Sequence, residues 1–347
     1  MPRVLFVSAI AAAVLAAIGL GQQTSTTGPY KLLKTVKVGG AGGYDYVYAD
    51  NAGRRLYVPR PGSTGARISV FNLDTLEPVG EIPNANARGV AVDPKSNHGF
   101  ATSKPVVMWD TKTLATIKTI DVEGGPDGIL FDSFNERVWV FSHRAPNATV
   151  INAADGSVAG TVDLGGAPEQ AVTDGKGHLY VDIEDKDNIA VVDAKTLTAT
   201  AHYDLGGKGG GPGGLAFDAE NHILFAACHD PATMVIINAD NGKILDALPI
   251  GKGVDGAVFN PKTMEAFSSQ GDGTLTVIKE NTPTNFVVEQ TVQTAPAART
   301  LTLDAKTGRI VLITAEFTPP PKPAPGTQGR SRGQMVPDSF SILVVGK

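Results

Sequence analysis

From about residue 30 onward, apolar and polar residues alternate in short runs separated by turn-forming residues, the period-two pattern of half-buried strands. A segment of the form polar-x-apolar-x-apolar-x-Asp returns seven times, with its terminal acid or amide at Asp50, Asp93, Asp132, Asp174, Asp218, Asn260 and Asp304. Successive anchors stand 43, 39, 42, 44, 42 and 44 residues apart, a period that suits one four-stranded sheet per repeat. In the third period, residues 128–131, 137–142, 148–152 and 157–164 read as strands a, b, c and d. Asp155-Gly156 lies between c and d, and Asn241-Gly242 holds the same place in the fifth period. Both dipeptides tolerate positive φ and suit a hairpin. The recurrent Asp or Asn after strand a reads as a turn former that accepts backbone hydrogen bonds.

The two chain ends extend the pattern. The seventh period has an a strand at 300–303, a b strand at 309–314 and only one further strand, 341–345. It lacks a d strand, whereas residues 30–38 form an orphan strand with a d-strand pattern. The expected fold is therefore all-β, a seven-bladed β-propeller with four antiparallel strands per blade and the N-terminal strand closing the last blade. Closure of this kind removes two exposed edges at once. The 40 glycines and 23 prolines fit many short strands joined by tight turns.

The strand motifs resemble a known family. Leu56-Tyr57-Val58 and Leu179-Tyr180-Val181 in b strands, with Ile68-Ser69-Val70-Phe71-Asn72-Leu73-Asp74-Thr75 and Val191-Val192-Asp193-Ala194-Lys195-Thr196 in c-to-d hairpins, are similar to the YVTN-repeat, YncE-like β-propellers. The naming tetrad itself is not intact, because Tyr57-Val58 runs on into Pro59-Arg60 and Tyr180-Val181 into Asp182-Ile183. The resemblance covers nearly all of 30–347 and implies an exported bacterial propeller of about seven repeats.

The first residues are consistent with export. Arg3 precedes an unbroken apolar run from Val4 to Leu20, and Gly19-Leu20-Gly21 offers small residues before Gln22, the layout of a signal peptide, with an uncleaved membrane anchor as the competing reading. The expected organisation is a signal peptide at 1–21, a linker at 22–29 and a single propeller domain at 30–347, periplasmic or secreted, monomeric, with no membrane span after cleavage. Loss of residues 1–21 leaves 29 basic against 35 acidic residues, a formal charge of −6. That balance, without a basic stripe, speaks against nucleic acid. Cys228 is the only cysteine, so an internal disulfide is excluded.

Antiparallel blades send their d-to-a and b-to-c connections to one face. Five positions before each anchor, at the entrance to strand a, stand Asp45, Arg88, Asp127, Glu169, Gly213, Asp255 and Arg299. At the exit of strand b stand Arg60, Lys104, His143, Glu184, His229, Gln270 and Glu316. These two rings are the expected site, and a funnel lined with mutually satisfying charges is the plain reading of the same residues. The leading expectation is a binding protein or scaffold that takes a small polar ligand, or another exported protein, at the channel mouth. Asp45, Arg60, Arg88, Lys104, Asp127, Glu184, Gln270, Arg299 and Glu316 would contact the ligand. The alternative is a metal-assisted hydrolase or lyase, lactonase-like, acting on a small polar molecule or sugar derivative. There Asp127, Glu169, His229 and Asp255 would hold a divalent ion (Ca, Mg, Mn or Zn), with His143 or His229 as general base. The run Gly206 to Gly214 opens no helix and reads as a flexible loop rather than a phosphate loop. A Pro-rich insertion at 318–337 falls in the b-to-c connection of the seventh blade.

Overall fold

The computed structural model describes residues 27–145, 147–319 and 333–347. The expected signal peptide and most of the Pro-rich insertion lie outside the described residues. Strand β1 is Lys31–Lys37. Blade one is β2 to β5 (48–83), blade two β6 to β9 (90–120), blade three β10 to β13 (126–162) and blade four β14 to β17 (168–204). Blade five is β18 to β21 (212–249), blade six β22 to β25 (254–293), and β26 to β28 (301–346) belong to blade seven. Each sheet has four antiparallel strands, and β1 supplies the fourth strand of the last, in the order β1-β28-β27-β26. The ring of seven blades expected from the repeat is the fold observed. Among the described residues no helix is long and apolar enough to cross a membrane.

Seven buried apolar clusters lie between neighbouring blades, so each sheet buries both faces. Trp139, Phe141, Leu179 and Val181 fill the gap between blades three and four, and Leu56, Val58, Ile313 and Phe340 fill the gap between blades seven and one. All seven anchors accept the backbone N–H two residues on, from Ala52 on Asp50 at 3.1 Å to Lys306 on Asp304 at 3.2 Å. Their turn-forming role follows from that geometry.

The c-to-d turns are longer than a two-residue hairpin. In blade three the Gly156 N–H donates to Asn152 O at 2.8 Å, and Gly156 alone of the Asp155-Gly156 pair takes positive φ, at 68°. Leu76, Leu114 and Leu197 hold that place in blades one, two and four, with φ of 66°, 62° and 57°. Left-handed backbone costs a leucine about 1–2 kcal/mol. Here the side chain packs into an interblade cluster, which offsets a cost of that size.

Ring closure uses more than strand pairing. Leu32 faces Val345 and Val36 faces Ile342 across β1 and β28. β1 itself is mostly exposed, so its contribution lies in hydrogen bonds and in the residue before it. The buried Tyr30 packs edge-on against Phe267 of blade six at 5.3 Å, its N–H donates to Gln290 Oε1 at 3.0 Å, and its hydroxyl bonds the Glu265 carboxylate. Lys347 at the other end of the chain reaches the same carboxylate at 2.9 Å. Deletion of residues 30–38 is expected to give an aggregating protein, measured by soluble yield and size-exclusion profile; a soluble truncation with an unchanged unfolding midpoint would contradict this closure.

Candidate functional site

The a strands of blades three to six share a bulge. Register shifts between Pro126 and Ile129, Pro168 and Ala171, Pro212 and Gly214, and Val254 and Ala257. The extra residue falls where Asp127, Glu169, Gly213 and Asp255 stand, and a bulge re-aims the side chain it carries. Small residues next in sequence let the a strands approach one another. A Cβ on Gly128 would lie 2.5 Å from Glu169 O, and one on Gly214 would lie 2.7 Å from the carbonyl carbon of Gly256.

The bulged residues and their neighbours form one network at the channel mouth. Arg88 lies 3.6 Å from Asp45 and 3.3 Å from Asp127; Arg299 lies 3.5 Å from Asp45 and 3.0 Å from Asp255. His143 Nε2 lies 2.9 Å from Glu169 and 3.7 Å from Asp127. Glu184 and His229 complete this side and interact electrostatically with Glu169. Six of the seven a-strand positions and two histidines are thus brought together, as the spacing predicts.

Two members were missed. Tyr46, which leads into blade one, donates its hydroxyl proton across the mouth to Glu169 of blade four at 3.0 Å. Gln170 of blade four accepts from the N–H groups of Leu215 and Ala257, each at 3.0 Å, and donates to Ala257 O at 2.9 Å, tying blades four, five and six. Both stand one residue after a ring position, where blades two, three, five and six have Gly89, Gly128, Gly214 and Gly256. That break in the repeat was the available signal.

Several expected ligand contacts are placed otherwise. Arg60 is fully buried, and its guanidinium donates to the carbonyls of Gly39, Gly40, Ala41, Gly42 and Gly43 at 2.9–3.2 Å while stacking 3.8 Å from the Phe340 ring. Burial lowers its pKa to about 10. It holds the glycine-rich loop that leads to Tyr44, Asp45 and Tyr46, and it does not line the mouth. Gln270 is also fully buried and bonded within blade six to Ser268 and Thr274. Lys104 is exposed and donates to Gly124 O at 2.6 Å, and Glu316 is exposed two residues past Thr314; among the described residues neither side chain pairs with a ring residue. Cys228 is buried, and burial pushes its thiol up, which removes it as a reactive group.

The expected metal set is not assembled. Among the described residues no group of three or more His, Cys, Asp or Glu side chains is arranged to hold an ion. The reason is local: Asp127, Glu169 and Asp255 each already face a basic partner. The same pairing argues against His143 as a base. The Glu169 hydrogen bond raises its pKa to about 9, so it is an imidazolium near neutrality.

Burial and the neighbouring carboxylates act on the acids. Asp127 is raised to about 6 and Asp255 to about 7, in both cases by burial first, opposed by Arg88 and Arg299 respectively. Burial also raises Glu184. Burial pulls Glu169 up too, but His143 and Tyr46 outweigh it and its pKa is lowered. Asp182, fully buried nearby with no hydrogen-bond partner for either oxygen, is raised well above the usual range by burial.

Beside this network a cavity of about 1150 Å³ opens between blades one, five, six and seven. Its wall includes Tyr44, His229, Lys252, Arg299, Phe317 and Met335. It reaches the described ends of the Pro-rich insertion at Pro319 and Gly333.

No protein-family model matches the sequence, and no curated protein matches it. Solved structures do resemble its shape. The WD40 repeats of RRP9 are 10% identical, with 93% of this chain and 98% of that chain covered at a TM-score of 0.70. U3-55K is 9% identical, with 91% and 98% covered at 0.71, and a chain of the mitotic checkpoint complex is 10% identical, with 90% and 95% covered at 0.67. Likeness at that identity carries the architecture alone. The chain is a seven-bladed β-propeller with WD40-like structural neighbours.

Two outcomes follow from the site. Asp127 and Asp255 have folded pKa values above the unfolded 3.8, so their ionisation costs stability as pH rises through about 6 and 7. His143 stabilises fully below 6.5, and that contribution is lost as pH rises through about 9. Thermal midpoints should therefore fall from about pH 4 to about 9, and the part of the fall below about pH 7 should be reduced in Asp127→Asn/Asp255→Asn; a rising or flat profile would contradict the assignment. Arg60→Met leaves loop carbonyls without a donor and is expected to cost about 2–4 kcal/mol in denaturant unfolding. A loss below about 0.5 kcal/mol would show that Arg60 does not hold the loop.

Proposed function

We propose that this protein is an exported, non-catalytic binding propeller that takes a small ligand at its channel mouth. The observation that carries the reading is the cavity of about 1150 Å³, walled by four blades and touching the charge network at Arg299 and His229. Its volume is of the order of known small-molecule sites, which run to roughly 1000 Å³. The network supports binding rather than turnover. Asp127, Glu169 and Asp255 are paired, the Glu169 hydrogen bond raises the pKa of His143 to about 9, and ion pairs linking separate blades hold the network in one arrangement. The apolar leader at 4–20 supports export.

The binding reading is tested by thermal unfolding against a panel of small carboxylates, amines, lactones and sugars, with mass analysis of the recovered compounds. At least one class should raise the midpoint and be recovered unchanged. Consumption of a compound would favour an enzyme, and a panel without any shift would remove the ligand site. Export is tested by fractionating cells that express the full chain and sequencing the N-terminus. The mature protein should begin near Gln22 outside the cytoplasm; an intact N-terminus in the cytoplasm would overturn the leader.

A further inference from the structure

On the face away from the mouth, one buried side chain holds both ends of the domain. Glu265 opens the b strand of blade six and is 1% exposed. One of its oxygens accepts from the Tyr30 hydroxyl, and the other lies 2.9 Å from Lys347 Nζ, which also sits 4.8 Å over the Tyr30 ring. Gln290 of the same blade grips the Tyr30 backbone, accepting from its N–H at 3.0 Å and donating to its O at 2.7 Å. Tyr30 immediately precedes β1, a strand exposed throughout except for the half-buried Val36. With so little apolar burial, β1 depends on this clasp and on its ladder to β28.

The other end of β1 is held by different means. The N–H groups of Val38 and Gly39 both donate to Phe340 O at 2.9 Å, and the Arg60 guanidinium binds the carbonyls of the glycine run that follows. Asp338 accepts from the Gly40 N–H at 3.0 Å, but the backbone bonds and Arg60 do not pass through it. At the Tyr30 end the charged and titratable groups around Glu265 are Tyr30, Lys347, Glu289 of the d strand, and Lys279, its cross-strand partner, whose Nζ turns to Thr263 O. Burial raises the pKa of Glu265, but hydrogen bonds, those of Tyr30 and Lys347 among them, outweigh it and hold Glu265 below the usual 4.5. Burial and the neighbouring Glu265 raise Glu289. On acidification Glu289 therefore takes the first proton, and Glu265 keeps its charge for Lys347 until the second.

We infer that Glu265 makes the ring closure releasable by acid: its protonation frees Tyr30 and Lys347, and β1 peels from β28 starting at the Tyr30 end while Arg60 keeps the other end on the ring. A depressed carboxyl contributes stability that is fully present above 4.5 and is lost as pH falls through its folded value. That loss is local, because the clasp joins β1 and Lys347 to blade six and β28 keeps its ladder to β27. The surface uncovered is the edge of β28, a row of backbone groups able to take another strand. The clasp lies on the opposite face from the proposed ligand site and does not depend on it.

Amide exchange of the full-length chain, followed from neutral to acid pH and corrected for the intrinsic rate at each pH, tests the release. At neutral pH the β1 and β28 amides are expected to exchange through one opening. Below about pH 4 the β1 amides nearest Tyr30 should lose at least about tenfold in protection, the size of one hydrogen bond to a charged group, while β28, Val38 and Gly39 stay protected. Glu265→Gln should show the loosened strand already at neutral pH, with no further acid step. If that variant does not fold, Lys347→Met, which keeps the carboxyl but removes its cation, should move the release to higher pH. Asp338→Asn should leave the step in place. The release is overturned by β1 protection that is constant into acid, by its loss only together with the strands of every other blade, or by a Glu265→Gln or Lys347→Met chain with the wild-type profile. A step abolished by Asp338→Asn would assign it to the wrong end of β1 and overturn it equally.

Discussion

Each sheet of this molecule buries both faces against its neighbours, and the last sheet is complete only because the first strand pairs with the last. Without β1 the edge of β28 would be an open row of unpaired backbone groups, the template for aggregation that edge strands present. The strand is held less by apolar burial than by what precedes it. Tyr30 at one end of the domain and Lys347 at the other meet on Glu265, which is 1% exposed, so blade six clasps both chain ends. The closed ring then fixes the a strands around one axis and brings side chains from distant blades within hydrogen-bond reach. Tyr46 and Glu169, 123 residues apart, meet for that reason.

What the sequence revealed depended on how local the cause was. The seven anchors were legible because an Asp or Asn that accepts the N–H two residues on acts within its own turn. Ring members such as Asp127 and Asp255 were legible because a fixed offset from those anchors places them on the bulge. Arg60 and Gln270 sit at equally regular offsets, and offset alone misplaced them. Arg60 turns inward because a run of glycines in another segment presents its carbonyls there; Gln270 turns inward because Ser268 and Thr274 supply partners. The partner, not the position, chose the direction. Gln170 went unseen for the reverse reason, since its acceptors and donors lie on two other blades.

The charge network joins side chains from separate blades through ion pairs. Carboxylates that could have gathered a cation instead neutralise Arg88, Arg299 and His143, and burial raises Asp127 and Asp255 toward neutrality. Asp127, 7% exposed, would be left buried and unpaired if Arg88 and His143 moved away, which resists rearrangement. Beside the network, Lys252, Tyr44 and Phe317 line the cavity. The WD40-like neighbours share the scaffold, at about a tenth of positions identical.

The most direct test of this architecture is native-state amide hydrogen exchange along the two strands that close the ring. If β1 completes blade seven, the amides of Lys31–Lys37 that bond to β28 exchange through the same opening as those of Ser341–Gly346, with similar free energy and response to denaturant. Exchange of β1 at the rate of free chain, while β28 stays protected, would contradict the closed ring and with it the placement of the mouth.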